Sequence, residues 1–536
     1  MLRSAPTPAR LTAGVAIAAA LAAVYWLTRQ HVFSIDSLYY LHDVEFGGWD
    51  RLLHPHHLAL QPLQRAWWTL VRWLGWPGRA VAPLQALNVA LTVAWLAAAW
   101  RLLVAVIGHR ARALPWLGLL AFGYLAWSHA TQAEGLPPYA LLATLLLAQV
   151  ADLGRRGPAD RRDAALMAVT LAGAILMHQS LVLWSPLLAW MLGREAAPGR
   201  RLRAGLGMLT GAGAITLACY LAAATVAAPE PGLPGFWRWV TGYSAEFAGR
   251  CGTVENFAST GIVRGLASTL LSGAPLKPYV YGSRGVDAGL VRVLLPYLAV
   301  GAVLAAGLAG LPDRWRQADA HRRRQITDLT LLAMVAAVFA VWWEPSQRKF
   351  WAPVAPVALA MAGLGWRTWH GRMSRRRPDA TAGMASVLVG VVTLVAVYNL
   401  AAGILPRHRH QDATQPLVMF VTRSVGAADT VILAEDRVWQ AAGYFLPQRT
   451  IHGIPGEASD RDDPEHTVWR AAVADAERAL RQGGVVYVVG SQWPAVRAAL
   501  EPVLGPLPAP VPALEFGDVE LPHERQLLLA VTFPKG

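Results

Sequence analysis

Apolar residues in this chain gather into long runs separated by short polar connections. A helix needs about 20 predominantly apolar residues to cross a bilayer. Eleven runs approach that length: 11–28, 84–107, 115–130, 138–151, 164–178, 180–192, 204–227, 288–310, 326–343, 351–366 and 382–403. The pattern predicts an α-helical polytopic membrane protein with about 11 transmembrane helices. After Pro406 the pattern changes. Thr430–Ala434, Val485–Val489 and Gln526–Thr532 read as short buried strands. Arg437–Phe445 and Asp463–Gln482 read as helices. Roughly 130 residues suffice for one small α/β domain. The predicted division is a transmembrane part, 1–403, and a soluble α/β part, 404–536. Gly483-Gly484 reads only as a turn, and no phosphate-loop pattern is present.

Charge orients the runs. One set of connections carries Arg3/Arg10, Arg110/Arg112, Arg155/Arg156/Arg161/Arg162, Arg194/Arg200/Arg201/Arg203, Arg314/Arg316/Arg322/Arg323/Arg324 and Arg367/Arg372/Arg375/Arg376/Arg377. These alternate with connections poorer in Arg, so the Arg-rich side is expected to be cytoplasmic. The amino terminus is then inside and the carboxyl terminus outside. The outer connections are 29–83, 131–137, 178–180, 228–287, 344–350 and everything after about 404. The first and fourth are long. Within the first, Gln61–Trp76 suits an amphipathic helix lying at the interface, with a short re-entry as the alternative.

Composition agrees. The chain is 54% hydrophobic and only 15% charged, against about 25% charged residues in soluble domains. The net charge of +14 comes from Arg clusters between apolar runs, so it reports topology and gives no reason to expect nucleic acid as a partner. The two cysteines, Cys219 in an apolar run and Cys251 in a polar loop, offer neither a disulfide framework nor a thiolate metal site. With a bundle behind it, the first run is expected to be an uncleaved helix rather than a signal peptide. The 23 Trp fit interfacial belts. The richness in Ala, Arg and Trp suggests a high-GC bacterial genome, hence the bacterial inner membrane.

Ionisable residues that insertion does not require fall on the predicted outer side. Asp36, Asp43, Glu45 and Asp50 lie in the first loop, and His54, His56 and His57 close it. Glu134 lies at the next outer turn, His178-Gln179-Ser180 at another, and Glu344, Arg348 and Lys349 at a third. Polar groups at membrane depth mark substrate paths. Asp43, Glu45 and Asp50 read as solvated loop carboxylates, whereas Asp36 is embedded in Phe33-Ser34-Ile35-Asp36-Ser37-Leu38-Tyr39-Tyr40. A divalent metal on His54, His56 and His57 is possible but not favoured. Pro55 breaks helical spacing, and three histidines within four residues of an extended turn cannot all face one ion. Hydrogen bonding to substrate or to a neighbouring carboxylate is the expected role. His178 reads equally as a functional group or a satisfied helix-end histidine. Arg348 and Lys349 lie where topology does not favour cations. An anionic phosphate near the lipid surface explains them, Arg binding it as a fork and Lys as a point charge; lipid headgroups are the alternative.

Asp36-Ser37, His54-Pro55, Asn88, Glu134 and His178 occur in an order and with a sidedness that resemble the GT-C superfamily of membrane glycosyltransferases. That group includes protein O-mannosyltransferases and aminoarabinose transferases. The resemblance covers about residues 10–370. Leu38-Tyr39, His56-His57-Leu58 and Gly135-Leu136 depart from its motifs. It implies a lipid-phosphate-linked sugar as donor and a catalytic Asp in the first outer loop. On that reading Asp36 is the general base toward an acceptor hydroxyl of a glycan, lipid or protein. His54, His56, Glu134 and His178 would position substrate, Arg348 and Lys349 would hold the donor phosphate, and transfer would invert the anomeric centre. A flippase of lipid-linked glycans and a non-catalytic envelope scaffold are the alternatives.

Overall fold

All eleven apolar runs fall chiefly on helix in the computed structural model of the protein. The structure describes residues 8–31, 34–155, 157–247, 260–276, 287–376, 381–407, 414–433, 449–453, 467–490, 492–517 and 525–532, with short runs or single positions at 251–253, 257, 279, 285 and 444. Among these, five helices are long and apolar enough to cross a bilayer: Val81–Ile107, Pro198–Ala227, Ala288–Gln317, Ala320–Trp343 and Ser386–Arg407. Gly14–Leu27 and Leu136–Asp152 are shorter apolar helices. The chain is a multi-pass membrane protein. Two runs are not single helices. The 115–130 run breaks after Arg110–Ala121 and resumes as Tyr124–Ala130. The break needs Gly123, because a Cβ there would meet the Leu119 carbonyl at 2.7 Å. The 180–192 run starts as a 3-10 turn, Gln179–Trp184, before Ser185–Glu195. The amphipathic segment forms a helix, Leu60–Trp73, which buries Leu60, Gln61, Gln64 and Trp68 and leaves Trp73 exposed.

The chain divides into two compact units. One comprises residues 1–29 and 43–406, the other residues 30–42 and 407–536. In the first unit the Val81–Ile107 and Leu136–Asp152 helices pack together, and buried Trp95 donates its indole N–H to Thr144 Oγ1 at 2.9 Å. That bond satisfies two polar groups that hydrocarbon could not. The helices holding Gly307 and Gly365 approach so closely that a Cβ on Gly365 would lie 2.0 Å from the Gly307 carbonyl. Such small-residue contacts let membrane helices gain dispersion energy where no hydrophobic drive exists. Some arginines assigned to topology also have structural partners. Arg194 forks the buried Asp328, with Nη1 at 3.2 Å and Nη2 at 2.5 Å from its two oxygens. Arg101 pairs with Asp152 at 2.7 Å.

The second unit carries a five-stranded sheet. Its strands are β1 (Thr430–Leu433), β2 (Thr450–Gly453), β3 (Val486–Val489), β4 (Val511–Gly517) and β5 (Arg525–Val531), in the order β2-β1-β3-β5-β4. β1 pairs in parallel with β2 and β3, whereas β5 runs antiparallel to β3 and β4. Side chains alternate across a strand, so the two faces bury different sets. Ile432 and Val488 pack with Ala472, Ala476 and Leu480 of the Thr467–Arg481 helix. Val431, Leu433 and Val489 pack with Leu417 and Val421 of the Thr414–Ser424 helix. Buried Asp429 ties the start of the sheet together by accepting from Gly426 N at 2.5 Å and Val485 N at 2.7 Å. The three expected strands are present; β2 and β4 were not anticipated. Of the expected helix at 437–445 only Tyr444 falls among the described residues.

Candidate active site

Backbone geometry fixes the first histidine group. His54 precedes proline, and its φ of −76° and ψ of 125° are the extended values such a position favours. Pro55 then opens a 3-10 turn, Pro55–His57, and His54 Nδ1 caps it by accepting from His56 N at 3.2 Å. The turn is stitched to the end of the Arg161–Met177 helix. Ala59 N donates to the Leu176 carbonyl at 2.9 Å, and His57 Nδ1 lies 3.1 Å from the Met177 carbonyl. A carbonyl only accepts, so His57 carries its proton on Nδ1 and leaves Nε2 with a lone pair. Tyr220 holds the turn from another side, donating to the Pro55 carbonyl at 2.6 Å while accepting from Gln179 Nε2 at 3.0 Å.

That stitching brings in His178, the extended residue that ends the Arg161–Met177 helix. The rings of His56, His57 and His178 form a near-equilateral triangle, with centroids 4.7 Å apart for His56–His178 and 4.9 Å for the other two pairs. One ligand atom from each lies within 4.8 Å of the other two. Trp343 stacks on His56 at 5.3 Å, and Tyr139 sits 5.0 Å from His178. His178 Nδ1 meets Ser180 Oγ at 2.8 Å and Ser180 N at 3.3 Å. Burial, the charge of His54 and the charge of Lys349 push His56 down to about 4, a hydrogen bond to Gln179 opposing them. Burial, then the charge of His56, holds His57 well below the ordinary imidazole range. His54 is lowered by burial against the opposing charge of Asp43.

A second group forms around the 131–134 turn. Two buried amides on the Val81–Ile107 helix hold it. Gln85 Nε2 donates to the Thr131 carbonyl at 2.9 Å, and Asn88 Nδ2 donates to the carbonyls of Gln132 and Glu134, both at 2.7 Å. The Glu134 carboxylate lies 2.5 Å from His129 Nδ1, both side chains being buried. His129 Nε2 has no hydrogen-bond partner among the described residues. Arg348 and Lys349 open the 3-10 turn Arg348–Trp351. The Arg348 guanidinium lies over the Tyr124 ring at 4.7 Å, and Tyr124 begins the short helix that carries His129. The charges of both cations reach His129, and that of Lys349 also reaches His56, His57 and His178.

Most residues singled out in the sequence thus come together in the first unit, with altered partners. His54 is a turn cap facing Asp43 rather than a member of the histidine triangle, and His57 takes its place. His178, not His54, lies with His56 and His57 in the group whose ligand atoms are mutually close. Glu45 is not merely solvated. It pairs with Arg79 at 2.6 Å and accepts from Ala80 N at 3.1 Å. Asp43 accepts from Gln61 at 3.2 Å, while Asp50 is exposed as expected. Asp36 belongs to the second unit, half-buried in the first turn of the Ile35–Phe46 helix. His129, Gln85 and Tyr220 were missed. For Gln85 a signal existed: Gln85 and Asn88 are polar positions three apart on a mostly apolar helix, which puts both on one face.

The polytopic helical part followed by a small α/β part is a fold shared with solved membrane-protein structures. The crystal structure of ArnT from Cupriavidus metallidurans bound to undecaprenyl phosphate superposes with a TM-score of 0.57 at 13% identity, covering 99% of this chain and 100% of that one. Its apo form gives 0.57 at 15% identity over 98% and 100%. The Archaeoglobus fulgidus oligosaccharyltransferase in complex with Zn and sulfate gives 0.54 at 15% identity, covering 90% of this chain and 69% of that one. No protein-family model and no curated protein matches the chain by sequence. The GT-C resemblance read from the motifs therefore holds at the level of fold.

Proposed function

We propose that the protein is an integral-membrane glycosyltransferase that moves a sugar from a polyprenyl-phosphate donor to an acceptor hydroxyl on the extracytoplasmic side of a bacterial inner membrane. The observation that carries this reading is the placement of Arg348 over Tyr124, on the helix that carries His129, with Lys349 acting on both histidine groups. A buried carboxylate–imidazole pair beside both cations, and a largely buried imidazole triad within reach of Lys349, suit a phosphorylated lipid whose sugar must be held out of hydrocarbon. The ArnT structure of the same fold holds undecaprenyl phosphate, which supports the choice of lipid.

In the proposed reaction Asp36 takes the proton of the acceptor hydroxyl as the oxygen attacks the anomeric carbon. The bond from that carbon to the phosphate oxygen breaks, and the phosphate leaves with the electron pair. Attack opposite the leaving group inverts the centre. Arg348 and Lys349 stabilise the charge gathering on the departing phosphate. Glu134, fixed by His129 and the Asn88-held turn, orients sugar or acceptor hydroxyls, and the unpartnered His129 Nε2 is available to them. His54, His56 and His178 shape the neighbouring wall. The soluble part after residue 404 lies outside, by the Arg asymmetry of the connections.

The test is transfer in proteoliposomes, using polyprenyl-phosphate sugars as donors and envelope extract as the source of acceptors. Asp36→Asn should lower transfer by about 10²–10⁴-fold with membrane insertion unchanged. Full turnover by that variant removes Asp36 from the mechanism. Donor that crosses the bilayer without losing its sugar makes the protein a flippase. Transfer lost only on deletion after Pro406 makes it a scaffold.

A further inference from the structure

The histidine triangle has a use that sugar positioning leaves unexplained. Three imidazole rings, two buried and one half-buried, converge on one another. The ligand-atom spacing, within 4.8 Å, brings the three nitrogens to one ion by small ring rotations, with bonds of about 2.0–2.1 Å. The surroundings already supply what metal-bound histidines need behind them. A ligating histidine donates its other ring N–H to a carbonyl or hydroxyl, which fixes the tautomer. His57 does so to the Met177 carbonyl, leaving Nε2 as the ligand. For His178, Nδ1 accepts from Ser180 N at 3.3 Å and meets Ser180 Oγ at 2.8 Å, which fixes the orientation of the ring. Tyr220, through the Pro55 carbonyl, fixes the turn that carries two of the three rings.

We infer that His56, His57 and His178 bind a divalent transition metal of the zinc class, with a fourth position open to an anionic oxygen. Nitrogen-only donors select zinc-like ions over magnesium or calcium, which take oxygen ligands. Three protein ligands leave the open position of a functional rather than a closed structural site. Three imidazoles bring no negative charge, so the ion's own charge favours an anionic fourth ligand. A phosphate oxygen fits that position. The choice of phosphate rests on the glycosyltransferase reading; the metal site itself does not.

The experiment uses the tag-free full chain in detergent, so that no affinity-tag histidine contributes. Elemental analysis after purification with zinc and exhaustive dialysis should find roughly one zinc per chain, absent in His178→Ala and His57→Ala. Magnesium should leave the melting temperature of the metal-stripped protein unchanged, while zinc raises it. If the alanine variants do not fold, the wild-type protein still decides. Replacement of zinc by Co²⁺ should give visible d–d absorption of a four-coordinate site, shifted by inorganic phosphate. Metal content at background level, or no cobalt band in folded protein, overturns the site. A band unmoved by phosphate overturns the assignment of the fourth position. None of these readings requires sugar transfer, so the metal site and the proposed function can fail separately.

Discussion

Replacing Asn88 tests how the Glu134 turn is held. Its side-chain amide is buried and donates two bonds of 2.7 Å, to the carbonyls of Gln132 and Glu134. Leucine has similar volume but no donors, so Asn88→Leu leaves two buried carbonyls to find other partners. A buried group left unsatisfied costs about 1–3 kcal/mol. Side-chain bonds between membrane helices average nearer 0.6 kcal/mol, because the unfolded chain in the membrane also finds partners. Between these bounds the loss is roughly 1–4 kcal/mol, and it falls on the turn that carries the carboxylate beside His129. Asn88→Asp should be worse, since its carboxylate faces two carbonyl oxygens and offers no N–H. The assay is pulse proteolysis in detergent micelles, with hydrogen exchange of residues 131–134 as the local readout. The expected order of stability is wild type, then Leu, then Asp, with faster exchange in the turn. A leucine variant within about 0.5 kcal/mol of wild type, with unchanged exchange, would refute the role given to Asn88, because even one net bond exceeds that.

Tyr220→Phe removes the bond to the Pro55 carbonyl and should cost about 1 kcal/mol, loosening residues 54–59 in hydrogen exchange while leaving 131–134 unchanged. Arg348→Ala should raise the donor KM by roughly 10–100-fold, the equivalent of one charge-assisted bond of about 1.5–3 kcal/mol; steady-state kinetics with varied lipid-linked donor measures it. Arg348→Lys should recover only part of that loss, since lysine keeps the charge but not the fork. Asp429→Ala strands two backbone N–H groups at the start of the sheet. It should destabilise the second unit by roughly 2–4 kcal/mol, read as earlier protease cleavage after residue 407.

The apolar runs were legible because hydrocarbon permits little else. A stretch that must satisfy every backbone group without water becomes helix, and runs such as 84–107 and 326–343 lie within Val81–Ile107 and Ala320–Trp343. The breaks were not legible, because they depend on neighbours. Gly123 interrupts a helix where the Leu119 carbonyl leaves no room for a Cβ. In the site, residue types and order pointed to the right loops, but partners came from tertiary stitching. Nothing in His54-Pro55-His56-His57 says that His54 turns back to cap its own loop while His178 arrives through the contacts of Ala59 with Leu176 and of His57 with Met177. His129 was hidden in an apolar run, and only the fold shows its carboxylate partner. β2 and β4 escaped notice because four-residue Thr450–Gly453 and Pro512-containing Val511–Gly517 lack a clean strand pattern.

The most direct test of the central claim follows the lipid product. Wild-type protein in liposomes with a polyprenyl-phosphate sugar and envelope acceptors should release free polyprenyl phosphate in step with an acceptor heavier by one sugar residue, both measured by mass spectrometry, and Asp36→Asn should slow both by about 10²–10⁴-fold. Lipid-linked sugar that remains intact with every acceptor fraction, in protein that is folded and inserted, would contradict it.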